Sequence, residues 1–137
     1  MVIFDLFKKK KYELGEKELK WNKMWDLYID DEIESPYREL MTYQSEVNNG
    51  GHCQYFSNIE NIGDLKKELS SLEKILSLKM NDNVQRAYKT YLILEDMSDD
   101  EDVESFENII EECDNIFYDN EEEINNILRE YASKLEL

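Results

Sequence analysis

The sequence predicts an all-α protein: a compact single-domain bundle, residues 1–137, of about six or seven helices with short connections. Apolar residues recur at helical spacing through nearly the whole chain, and no segment alternates as a half-buried strand would. N-cap and capping-box patterns stand ahead of several periodic stretches. Hydrophobic residues make up 41% and aromatics 12%, enough to build one core despite a formal net charge of −17.

Trp21, Met24, Trp25 and Tyr28, spaced i, i+3, i+4, i+7, line one face of the first core helix. Residues 1–16 stand ahead of it as a candidate flexible N-terminal segment. "MVIFDLFKKKK" places its apolar run before its lysines, the reverse of a secretory signal. No stretch approaches the roughly 18 apolar residues of a membrane span. A Phe4/Phe7 face beside Lys8 to Lys11 is shorter than most interfacial helices, so terminal packing is expected there rather than membrane contact. A cytoplasmic protein is the resulting expectation.

"SPYREL" reads as the next helix start, with Ser35 as N-cap and Pro36 in the first helical position. Tyr37, Leu40, Met41 and Val47 carry its apolar face. That helix should end at Asn48 or Asn49, where Gly50 accepts a conformation that a Cβ would obstruct. A short helix around Cys53 to Asn58 follows. Leu65, Leu69, Leu72 and Leu76 mark another helix, begun near Asp64; Val84, Ala87, Tyr88 and Tyr91 mark one begun at Asn81 or Asp82. Ser98 with Glu101 forms a capping box before the stripe Val103, Phe106, Ile110, Cys113 and Phe117. Asn120 with Glu123 repeats the pattern before Ile124, Ile127, Leu128, Tyr131 and Leu135, which predicts a separate last helix.

Chemistry-bearing residues are few. Cys53 and Cys113 lie far apart without a CxxC pair, which suits free thiols in a reducing compartment. His52 is the only histidine, too little for a structural metal site, so neither metal nor cofactor is expected. Cys53 beside His52 is the nearest thing to a catalytic pair, but adjacent helical positions diverge by about 100°, and no catalytic residue is assigned. Gln54 and Asn58 share a helical face at the turn, where their amides could satisfy backbone groups or orient a polar ligand.

"VNNGGHCQYFSN" resembles the signature of the DNA-mimic protein C-terminal-like domain, a helical family in which an Asn-Gly-Gly turn leads into a Gln-aromatic-aromatic-x-Asn helix. The matching positions are Asn49, Gly50, Gly51, Gln54, Tyr55, Phe56 and Asn58, and the resemblance extends over roughly Trp21 to Tyr131. His52 stands where the family pattern favours an aromatic or aliphatic residue. The resemblance implies a non-enzymatic protein related to an acidic member that occupies the DNA-binding surface of a transcription factor.

From Glu95 to Leu137 there are 17 acidic residues against Arg129 and Lys134, a net of −15, while the other 94 residues carry only −2. Glu104, Glu107, Glu111 and Asp114 recur every three or four residues on one side of their helix; Glu121, Glu122, Glu123 and Glu130 belong to the last. Direct nucleic-acid binding would need a basic patch, and "DDED" lacks the spacing and glycine of a calcium loop. Two readings result. The first is a protein-binding protein whose acidic helices face a basic partner, such as a DNA-binding protein, with an immunity-type inhibitor of a basic toxin as a variant of the same idea. The second is a small-ligand or enzymatic module at the Asn48 to Asn58 turn. Exposed aromatics near that turn would favour a homodimer.

Overall fold

The computed structural model describes the backbone of residues 2–98 and 102–137, and the side chains of residues 15–98 and 102–137. Among the described residues there are five α-helices and no strand: α1 Val2–Ile29, α2 Tyr37–Ile62, α3 Leu65–Glu73, α4 Leu78–Asp96 and α5 Val103–Ser133. The Phe4/Phe7 face and Lys8 to Lys11 lie outside the described side chains. No helix among the described residues is long and apolar enough to cross a membrane.

The number of helices falls below the expected six or seven for two reasons. The two helical stretches expected on either side of Gly50 and Gly51 are present, with the turn where it was expected, but they join end to end across this kink and form the single element α2. The break expected before Asn120 is absent. No glycine or proline occurs between Val103 and Ser133, and the Asn120 amide donates to the carbonyl of Ile116 within the same helix at 2.8 Å.

Three starts also differ from expectation. The Ser35 hydroxyl donates to the Glu39 carboxylate at 2.6 Å instead of accepting a backbone N–H, and α2 begins at Tyr37. Helix α4 begins at Leu78 rather than Asn81 or Asp82, because Ser77 accepts the Met80 N–H as N-cap. At the start of α5 the cap is Asp102, which accepts from both the backbone and the hydroxyl of Ser105; Glu101, half of the expected capping box, lies outside the described residues. The start of α3 matches its reading: Asp64 accepts the Lys67 N–H at 3.2 Å.

The chain divides into two compact units, Met1–Glu34 with Asn125–Leu137, and Ser35–Ile124. In the terminal unit Met24, Leu128 and Ala132 are buried, Trp25 meets both Trp21 and Tyr28 edge to face, and the Lys20 ammonium donates to the carbonyl of Ser133. Helix α1 closes with Asp31 at φ 58°, the Glu32 N–H reaching the Leu27 carbonyl and the Asp31 N–H the Tyr28 carbonyl, a Schellman closure with aspartate in place of glycine.

In the central unit α3 and α4 pack on α2 and on each other. Leu40, Met41, Val47, Leu72, Met80, Val84 and Ile124 are fully buried there around Tyr43, Tyr55, Phe56 and Phe117. Tyr43 meets Phe117 edge to face at 5.3 Å and Tyr55 at 5.2 Å, and Phe56 meets Tyr91 at 5.3 Å. Such pairs each add about 0.5–1.5 kcal/mol beyond the area they bury. This aromatic core holds α5 against the Gly50–Gly51 turn.

Candidate functional site

Helix α5 buries Ile110, Cys113, Phe117 and Ile124 on one stripe of the central unit, and 3.6 residues per turn then fix what the opposite side presents. Glu104, Glu107, Glu111, Asp119 and Glu122 are exposed there, with Asn108, Asn115 and Tyr118 between them. At 1.5 Å rise per residue, the stretch from Glu104 to Glu122 spans about 27 Å. A DNA strand carries about eight phosphates over that length, so this row holds somewhat more than half of a strand's charge density. Glu112, at the edge of the row, is tied to Arg86 at 2.6 Å.

The remaining acidic residues of α5 in this unit turn to the flanks and bind other helices. Asp114 accepts the backbone N–H of His52 at 2.9 Å and the ring Nδ1 at 2.6 Å. Glu121 accepts from the amides of Gln44 at 2.9 Å and Asn48 at 2.7 Å. Glu123 accepts the Ser77 N–H at 3.0 Å, placing negative charge at the amino end of α4. The structure therefore separates the expected acidic residues into two groups. Glu104, Glu107, Glu111 and Glu122 face solvent; Asp114, Glu121 and Glu123 are partly buried and hydrogen-bonded inside the unit. Glu130 is exposed on the terminal unit, 3.8 Å from the Lys134 ammonium.

The Asn-Gly-Gly turn is built around Asp114. Gly51 sits at φ 81° and ψ −178°, a region that side chains with a Cβ rarely enter, and a Cβ there would lie 2.6 Å from Asp114 Oδ2. The carboxylate can approach only because the residue is glycine. It then caps the second half of α2 through the His52 N–H. A carboxylate only accepts, so His52 donates from Nδ1 to Asp114, and its Nε2 shares a hydrogen bond with the Tyr43 hydroxyl, 2.7 Å away. Burial pushes the Tyr43 phenol well above its ordinary pKa, with nearby Tyr55 and Asp114 adding to the effect, so it keeps its proton. His52 is fully buried with both ring nitrogens in hydrogen-bonding contact, which is how the core accommodates a histidine where an aromatic or aliphatic residue was expected.

The other motif residues are spent inside the fold as well. Gln54 and Asn58 both donate to Glu46 Oε2, at 3.2 and 2.7 Å, tying the helix after the turn to the helix before it. Tyr55 and Phe56 are in the core, and Asn49 and Gly50 are exposed. Cys53 does not meet the His52 ring nitrogens, which Asp114 and Tyr43 engage, and burial together with Asp114 pushes its thiol up, away from the reactive thiolate. Among the described residues no three His, Cys, Asp or Glu side chains gather as a metal site.

Sequence reasoning missed Asp119 and Tyr118 on the exposed row. The signal was present, since both continue the helical period from Glu104 and Glu111; the expected break before Asn120 concealed it. The roles of Glu46, Tyr43 and Asp114 around the turn depend on contacts 8 to 62 residues apart in sequence and had no local signal.

A family model described as DMP19-like protein matches residues 39–135, which takes in the turn motif, the central helices and α5. No curated protein and no solved structure matches the chain. The match runs over most of the sequence and agrees with the resemblance carried by the Asn-Gly-Gly motif: the chain belongs to the family of DMP19-like proteins.

Proposed function

We propose that the chain is a non-enzymatic cytoplasmic protein whose exposed α5 face occupies the nucleic-acid-binding surface of a basic partner, a DNA-binding protein being the class that this DNA-mimic family points to. The observation that carries the reading is the exposed row Glu104, Glu107, Glu111, Asp119 and Glu122. Charge partition supports it: the central unit holds 22 acidic and 7 basic residues, a net of −15, whereas the terminal unit is at −2. A basic surface would be steered to this face and released as salt shortens the roughly 8 Å screening length of physiological solution. Because one row is sparser than a phosphate strand, the second row comes from exposed Glu95, Asp96 and Asp102 or from a second copy of the chain.

A ligand or enzyme site at the Asn48 to Asn58 turn has less support, since the amides of Asn48, Gln54 and Asn58 already bond Glu121 and Glu46. An immunity-type inhibitor of a basic toxin would use the same α5 face and differs only in the partner captured. The test is affinity capture by wild type and by the variant Glu104→Gln, Glu107→Gln, Glu111→Gln, Glu122→Gln. Wild type should retain a DNA-binding protein at low salt and lose it at high salt, and the variant should hold it at least about tenfold more weakly. Equal retention by both would remove α5 as the interface.

A further inference from the structure

Tyr118 is 47% exposed in the middle of the acidic row, the only aromatic side chain on that face among the described residues. A tyrosine hydroxyl normally turns to water when the ring is exposed. Here it is held: the Tyr118 hydroxyl donates to the backbone carbonyl of Val47 at 3.2 Å, and the ring lies edge to face against Phe117 at 5.5 Å. The polar end is thus tied down at the α2 turn while the ring remains open to solvent.

Helical spacing then places carboxylates around the ring. Exposed Glu122 lies four residues after Tyr118, a position whose Cβ sits about 5–6 Å from its own; Asp114, four before, and Glu121, three after, flank it as well, each already accepting from α2 through one of its two oxygens. A cation resting on this ring meets the π face and the flanking carboxylates together. Of the two basic side chains, only arginine is planar: it stacks on an aromatic face and still donates in the ring plane to carboxylates at either side. Lysine presents a compact, strongly hydrated charge and gains less from the ring. Pre-fixed tyrosines ringed by polar groups are also the side chains that dominate protein interfaces, because little rotamer freedom remains to be lost.

We infer that Tyr118 is the arginine-reading residue of the α5 face: the partner inserts an arginine side chain over its ring, between Asp114, Glu121 and Glu122. This rests on the proposed role of α5 as a binding face and adds which cation that face selects. Charge complementarity alone would accept any basic surface; the anchored ring favours arginine over lysine at equal charge.

The experiment measures binding of fluorescently labelled hexa-arginine and hexa-lysine peptides at low ionic strength to wild type, Tyr118→Phe and Tyr118→Leu. Circular dichroism on each variant establishes that the fold is kept. Arginine binds carboxylates better than lysine in general, so the readout is the change in the arginine-to-lysine affinity ratio. An exposed cation–π contact corresponds to about two- to fivefold in affinity. The ratio should fall by that factor in Tyr118→Leu and stay near the wild-type value in Tyr118→Phe, which retains the ring. An unchanged ratio in Tyr118→Leu, with both peptides still bound, overturns the inference and leaves the binding face standing. If wild type binds neither peptide, the binding face itself falls.

Discussion

Replacing Gly51 by alanine tests how the turn and the acidic helix are joined. Two costs add. Gly51 holds φ 81° with ψ −178°, and forcing a Cβ-bearing residue there costs about 1–3 kcal/mol. The new Cβ would also lie 2.6 Å from Asp114 Oδ2, so the carboxylate must retreat from the His52 N–H and ring. Hydrogen bonds to a charged group contribute about 1.5–3 kcal/mol each, and partial relaxation recovers some of that. The sum is about 3–5 kcal/mol, a large part of the roughly 5–15 kcal/mol that holds an ordinary domain folded. Gly50→Ala is the internal control. Its φ is −159°, and the Cβ would meet the Gln54 amide, which can swing away at the loss of its bond to Glu46, with Gln54 Cβ at 3.0 Å; the expected cost is about 1–2 kcal/mol. Urea titrations followed by far-UV circular dichroism give both numbers. In an Asp114→Ala background the cost of Gly51→Ala should shrink to the backbone part, because the clash has no partner left. Equal costs for the two glycines, or no coupling to Asp114, would refute the reasoning.

His52→Phe keeps a ring of similar size but leaves the Asp114 carboxylate and the Tyr43 hydroxyl without their ring partner, and should cost about 2–4 kcal/mol in the same titration. Glu68 lies close to buried Glu39, and burial raises its pKa against the pull of Arg38. Its folded pKa exceeds the unfolded one, so its stabilising contribution is complete below the unfolded glutamate pKa and is lost as pH rises through the folded value. Glu68→Gln should therefore match wild type in acid and gain stability relative to it toward neutral pH, read as the difference between their urea midpoints across that range. Glu107→Gln with Glu111→Gln removes like-charge neighbours along Glu104, Glu107, Glu111 and Asp114, each worth roughly 0.2–0.5 kcal/mol. The double variant should melt higher than wild type at low salt, and the gap should close at high salt.

Much of the fold was readable in local chemistry. Asp64 capped α3 as its sequence position implied, and the stripe through Ile110, Cys113 and Phe117 is buried as its spacing required. What local patterns concealed was continuity. Asn120 with Glu123 has the form of a capping box, but a capping box competes with helix propagation, and here the buried stripe continues through Ile124 and Leu128 without a glycine or proline to stop it. The Schellman turn at Asp31 was hidden because aspartate is a rarer occupant of that position than glycine. At the candidate face, periodicity put Glu104, Glu107, Glu111 and Asp114 together on one side of their helix and left Glu121, Glu122, Glu123 and Glu130 grouped in the last one. It could not separate exposed Glu104, Glu107, Glu111 and Glu122 from partly buried Asp114, Glu121 and Glu123, since the packing of α2 and α4 decides which carboxylates are covered.

The most direct test of the account takes the captured partner, binds it to a labelled DNA duplex, and titrates in the chain while following release of the duplex. Mimicry predicts that wild type displaces the DNA completely, that displacement weakens steeply with salt, and that the four-carboxylate glutamine variant displaces it at least about tenfold less well. Formation of a complex holding partner, DNA and chain together, or displacement unchanged in the variant, would contradict the claim that the α5 face stands in for nucleic acid.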